Sequence, residues 1–229
     1  MSRVDPVVGR TLGEIRDALD AVADPDRAPA MRAYMKDRFP FLGVPAPVRR
    51  AAVAPMALQV RRWPQADVLL LASRLWDEPE REFQHVACDL VRAASPGWSA
   101  DALPAVRALV QDRSWWDTVD PLSHSVGVLV LAHPQLVDDM DRWIRDDDFW
   151  VARVALLHQL GWKERVDQER LFRYCELRAG DTEFFVRKAI GWALRDHARS
   201  APEDVRAFVA AHPELSGLSR REAMKHLAP

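Results

Sequence analysis

The chain has 229 residues, 48% hydrophobic and 29% charged, the composition of a globular protein long enough to bury a substantial core. Its net charge of −2 and pI of about 6.4 argue against nucleic-acid binding through overall basicity, so any phosphate-binding surface has to come from local clusters. The longest clean apolar run, 126–132, is far shorter than the roughly 20 residues that span a bilayer, which excludes a transmembrane helix.

Residues 1–5 lead into an amphipathic segment without an apolar h-region or small-residue cleavage site, so the expected location is cytoplasmic, with no membrane partner. Nearly every segment then repeats its apolar residues with a 3.6-residue period, and strand-like alternation is absent. The reading is all-α, one folded body over 1–229, with helices over 7–23, 26–38, 46–57, 64–76, 80–94, 100–112, 115–131, 134–145, 148–161, 167–179, 183–199, 202–211 and 218–227. Pro25, Gly43 to Pro45, Pro64, Pro79, Pro96-Gly97, Pro134, Gly161, Gly180, Pro202 and Pro213 punctuate the ends. Pro121 falls inside a helix instead, where its missing N–H predicts a kink or a delayed start. Cys88 and Cys175 sit among apolar neighbours and are expected in the core. The seven histidines form no His-Glu-x-x-His pattern and the cysteines no Cys-x-x-Cys pair, so neither a metal nor another cofactor is expected.

Phe83, Trp116, Trp150 and Phe185 are spaced by 33, 34 and 35 residues near helix beginnings. That period fits helix pairs stacked as a HEAT- or armadillo-like solenoid. With the aromatic as slot zero, slot +4 holds Ala87, Asp120, Val154 and Ala189, and a register in which Trp115 replaces Trp116 is the alternative. Asp120, Arg153, Lys188 and Trp192 stand out on a side that is otherwise small or apolar, so they face a cleft or pair with one another. An Asp120–Arg153 salt bridge and a core position for Trp192 are the structural alternatives.

The run Ser114 to Asp120 places two indoles and two carboxylates within two helical turns. Trp116 and Asp120 are i and i+4 and share a face. A carboxylate beside an indole suits a reaction that develops positive charge, the indole adding a cation–π term of roughly 0.5–2 kcal/mol. On the later helix, Lys188, Trp192, Arg195 and Arg199 follow i, i+4, i+7 and i+11, a strip of three cations and an indole suited to phosphates and a base or sugar. Further basic residues, Arg32, Lys36, Arg49 and Arg50, cluster near the start. Gly191 inside that helix points to a close backbone approach by a partner or a neighbouring helix.

Several separated motifs together resemble the bacterial AlkD-type DNA alkylation repair glycosylases, over nearly the whole chain. They are Tyr34-Met35-Lys36 with Phe39 and Phe41-Leu42-Gly43, Pro45 through Arg50, Trp76-Asp77 with Arg81 through Gln84, Ser114 through Asp120, Arg153 through Gln159, Glu183 through Arg195, and Leu218-Ser219 with Arg221 through Ala223. The resemblance implies a HEAT-like all-helical solenoid with a concave groove for double-stranded DNA containing alkylated purines, acting as a monomer. It also implies hydrolysis of the N-glycosidic bond of N3- and N7-alkylated purines while the lesion stays in the duplex. By the same resemblance Asp120 is similar to the catalytic carboxylate, Trp116 and Trp192 to the aromatic walls around the damaged nucleotide, and Arg153 and Tyr34 to groove contacts with DNA. The strip reading adds Lys188 and Arg195 as DNA-binding cations. Pro40, Pro121 and His124 fall outside the pattern. Two competing readings are a noncatalytic DNA-structure binder on the same scaffold and a protein-interaction scaffold, neither of which needs an aromatic-carboxylate cluster.

Overall fold

A computed structural model describes residues 6–227; residues 1–5, on which the expected absence of an export signal rested, lie outside the described residues. Among the described residues the chain forms thirteen α-helices and no strand, as the periodicity predicts. It divides into two compact units, Met1–Leu109 and Val110–Pro229.

In the first unit, α1 (Pro6–Asp20) buries Val8, Leu12, Ile15 and Leu19, the i, i+4, i+7, i+11 stripe of one helix face. It packs on α3 (Ala46–Val60) and α4 (Gln65–Trp76), and both of these pack on α5 (Arg81–Ala94). The short α2 (Ala28–Tyr34) is half the predicted length, because the chain turns left-handed at Lys36 and Asp37, with φ of 58° and 55°. The segment that follows is tied down by Glu82. Its fully buried carboxylate accepts the backbone N–H groups of Leu42, Gly43 and Val44 at 3.1, 3.0 and 3.0 Å. α6 (Leu103–Gln111) is entered through a single 3₁₀ turn, Ala100–Ala102.

The second unit is a stack of helix pairs. α7 (Trp116–Ala132), α9 (Phe149–Leu157), α11 (Phe184–His197) and α13 (Gly217–Ala223) pack in sequence as one layer. α8 (Val137–Trp143), α10 (Gln168–Leu177) and α12 (Pro202–Ala211) lie against them as a second layer. Asp148, Asp167 and Ser216 cap α9, α10 and α13 through N–H bonds from Trp150, Arg170 and Ser219 at 2.9, 3.0 and 3.0 Å. Two glycines set the spacing of the first layer. A Cβ on Gly127 of α7 would lie 2.0 Å from the His158 carbonyl oxygen, just past α9. One on Gly191 of α11 would lie 2.4 Å from the Glu222 Cβ and 2.8 Å from the Ser219 carbonyl oxygen of α13, the close approach that the sequence suggests. His158 is buried and neutral, its pKa lowered to about 4 by that burial, and its Nδ1–H donates to the Ala155 carbonyl oxygen at 2.7 Å. Cys88 and Cys175 are core residues, as expected.

Pro121 does not interrupt α7, although it offers no N–H to the Asp117 carbonyl four residues back. The helix starts at Trp116, and the residue before it is extended, with φ −159° and ψ 160°. That extended residue corrects the repeat register. The Trp115 ring packs into a cluster with Trp150 and Phe185, at centroid distances of 5.9 and 4.9 Å, while Trp150 and Phe185 lie 4.8 Å apart. With Trp115 as the anchor, slot +4 becomes Ala87, Val119, Val154 and Ala189, all fully buried. Asp120 moves to slot +5, where the other repeats carry Cys88, Ala155 and Ile190 in the core. It is still the one carboxylate in an apolar slot.

Candidate nucleic-acid interface and active site

The extended Trp115 sends its own ring into the core and leaves Trp116, the first helical residue, partly exposed. One turn later Asp120 stands on the same face, with 16% of its side chain exposed. Arg153 of α9 reaches it as a fork. Nε donates to Asp120 Oδ1 at 2.8 Å and Nη2 donates to Oδ2 at 2.9 Å. Nη1 donates to the Phe185 carbonyl oxygen at the start of α11. One side chain thus links α7, α9 and α11, and its guanidinium lies 5.9 Å from the Phe185 ring centroid.

This geometry changes the place of Arg153. The residue is only 3% exposed and its donors are turned to Asp120 and Phe185, so it holds the carboxylate and offers no surface as a groove contact. Of the two sequence alternatives for the pair, the salt bridge is the one observed. It does not remove Asp120 from use, since each carboxylate oxygen keeps a second lone pair. Burial raises the Asp120 pKa above the ordinary aspartate value; Arg153 opposes this through its hydrogen bonds and charge, and Asp117 adds to it.

Trp192 lies on α11, partly exposed and not in the core. One turn either side of it, Lys188 and Arg195 lie on the same face as the sequence strip predicts. Their charges are not open, however. Lys188 Nζ lies 2.9 Å from Glu222 Oε1, and Arg195 Nη1 lies 2.6 Å from Glu222 Oε2. Arg199, the third cation of the strip, faces Asp196 at 3.8 Å. Sequence reasoning missed Glu222 as the partner of the strip, because nothing local marks a pairing across 34 residues.

Tyr34 belongs to the first unit, at the end of α2, and is 69% exposed at the rim of a hollow lined by Met31, Met35, Phe41, Arg49 and His85. Arg49, part of the early basic cluster, is buried there; its Nη2 donates to Asp89 at 3.1 Å and its Nη1 lies 3.2 Å from His85 Nδ1. Its charge is committed inside the fold.

Comparison with known proteins bears on the family and the fold. A family profile described as DNA alkylation repair enzyme matches residues 15–227. A solved structure described as a predicted DNA alkylation repair enzyme from Enterococcus faecalis is 33% identical, with a TM-score of 0.85 over 90% of this chain and 97% of that one. AlkD2 from Streptococcus mutans shares the fold at 18% identity, with a TM-score of 0.61 over 76% of this chain and 88% of that one. No curated protein matches the chain. Profile and structure together place this chain in the DNA alkylation repair enzyme family.

Proposed function

We propose that the chain is a DNA glycosylase that hydrolyses the N-glycosidic bond of cationic N3- and N7-alkylated purines, such as 3-methyladenine and 7-methylguanine, in duplex DNA. Family membership carries the coarser statement, a DNA-binding alkylation repair enzyme. The observation that supports the finer one is a single carboxylate, partly buried and held at both oxygens by a buried arginine, on the same face as an indole.

An alkylated N3 or N7 makes the purine a cationic leaving group, so no strong general acid is required. The remaining difficulty is positive charge on the deoxyribose as the C1′–N bond lengthens. Ionised Asp120 stabilises that charge, and a water oxygen bonds to C1′ as the bond to nitrogen breaks. The electron pair of the broken bond neutralises the departing purine, and the proton lost by the water leaves through Asp120 or solvent. Trp116 and Trp192 present π faces to the same cation. Arg153 acts as a positioning residue, fixing both Asp120 oxygens so that the charge is aimed before substrate arrives. Lys188, Arg195 and Tyr34 serve the DNA itself.

The test is release of free base from an alkylated duplex. We expect the native chain to liberate 7-methylguanine or 3-methyladenine and to bind duplex DNA with an affinity that falls steeply with salt. DNA binding without any base release would instead support the noncatalytic reading.

A further inference from the structure

The two cations proposed to meet DNA on α11 already hold an anion. Glu222 places one carboxylate oxygen against Lys188 Nζ at 2.9 Å and the other against Arg195 Nη1 at 2.6 Å, so a single side chain spans the i, i+7 pair that flanks Trp192. The contact is built into the backbone. α13 approaches α11 at Gly191 so closely that a Cβ there would lie 2.4 Å from the Glu222 Cβ, and Ser219 Oγ–H of α13 donates to the Arg187 carbonyl oxygen at 2.9 Å. The Glu222 pKa is lowered, chiefly by its hydrogen bond with Lys188 and further by the charges of Lys188, Arg195 and Lys225, so it is ionised at neutral pH. The cations are nevertheless accessible, Lys188 with 35% and Arg195 with 20% of the side chain exposed.

A carboxylate gripping two cations through two oxygens has the same donor demand as two oxygens of a phosphodiester. We propose that Glu222 is an intramolecular stand-in for a DNA phosphate: it occupies Lys188 and Arg195 in the free protein, and a backbone phosphate must displace it. This rests on the reading of Lys188 and Arg195 as DNA contacts. Its effect is to weaken sequence-independent binding, easing movement along undamaged duplex and departure from product.

The experiment compares duplex affinity across a salt series for the native chain, Glu222→Gln, Glu222→Ala and Lys188→Ala/Arg195→Ala, each alone and with Glu222→Gln added to the last. Both Glu222 variants are expected to bind undamaged duplex more tightly at low salt. Their log–log salt slope should steepen by roughly 0.9 for each phosphate newly neutralised. The gain should vanish in the background without Lys188 and Arg195. Unchanged or weaker binding by folded Glu222→Gln overturns the proposal, as does loss of the fold in both Glu222 variants, which would make Glu222 a strut of α13. If Lys188→Ala/Arg195→Ala binds as the native chain does, it is the DNA-contact reading that fails.

Discussion

Arg153→Gln is expected to reduce base release at neutral pH by about 100-fold or more, the scale of removing a preorganised electrostatic group from an active site. The native fork supplies Asp120 with two charge-assisted hydrogen bonds and the one cation opposing its desolvation. Glutamine keeps some reach but no charge. Burial, which already raises the Asp120 pKa, then acts with Asp117 and without opposition, so the carboxyl holds its proton to a higher pH. Release needs the ionised form; activity is therefore lost as pH falls through the folded-state pKa, and the acidic limb of the pH profile should move to higher pH in the variant. The stability sign runs the other way. A raised folded-state pKa contributes stability that is present below the unfolded aspartate value and lost as pH rises through the folded one. A pH–rate profile under single-turnover conditions tests this, and a limb that stays in place while the rate falls would show that Arg153 does not control the protonation of Asp120.

Glu82→Ala should cost the first unit roughly 3 kcal/mol or more, the scale of orphaning several buried backbone donors at once. Its two oxygens satisfy the N–H groups of three consecutive residues, Leu42 to Val44. The same segment follows Phe41, which lines the hollow beside Tyr34, so loosening it disturbs that part of the surface as well. Glu82→Gln keeps one acceptor oxygen and should fall between the two. Thermal unfolding followed by circular dichroism reads the effect; a midpoint within a degree of native for Glu82→Ala would show that the segment is held by other contacts.

Helix identity and order were legible because periodicity and breakers are local signals: the stripe of α1 and the prolines opening α2, α3 and α12 each act within a turn or two. Register was less legible. Trp115 and Trp116 are adjacent and alike, and only the extended backbone at Trp115 decides which ring enters the Trp150–Phe185 cluster. For the candidate site, the sequence marked Asp120, Arg153, Lys188 and Trp192 as anomalies in apolar slots and offered an Asp120–Arg153 salt bridge as one alternative, but it gave no partner for Lys188 or Arg195. Arg153 turned out to hold Asp120, and Lys188 and Arg195 to share Glu222, because pairing between neighbouring helices depends on the spacing set at Gly127 and Gly191. The placement of Glu82 under residues 42–44 leaves no trace in either segment alone.

The proposed mechanism requires Asp120 to stabilise a deoxyribose cation as an alkylated purine departs. Its most direct test is single-turnover release of 7-methylguanine from methylated duplex DNA by the native chain and by Asp120→Asn, each checked for native unfolding temperature and DNA affinity. Asparagine preserves the shape and can still accept a hydrogen bond from Arg153, so it removes the charge with little else. We expect release by the native chain and a loss of about 100-fold or more in the variant at unchanged DNA affinity; equal rates for the two proteins would contradict the claim.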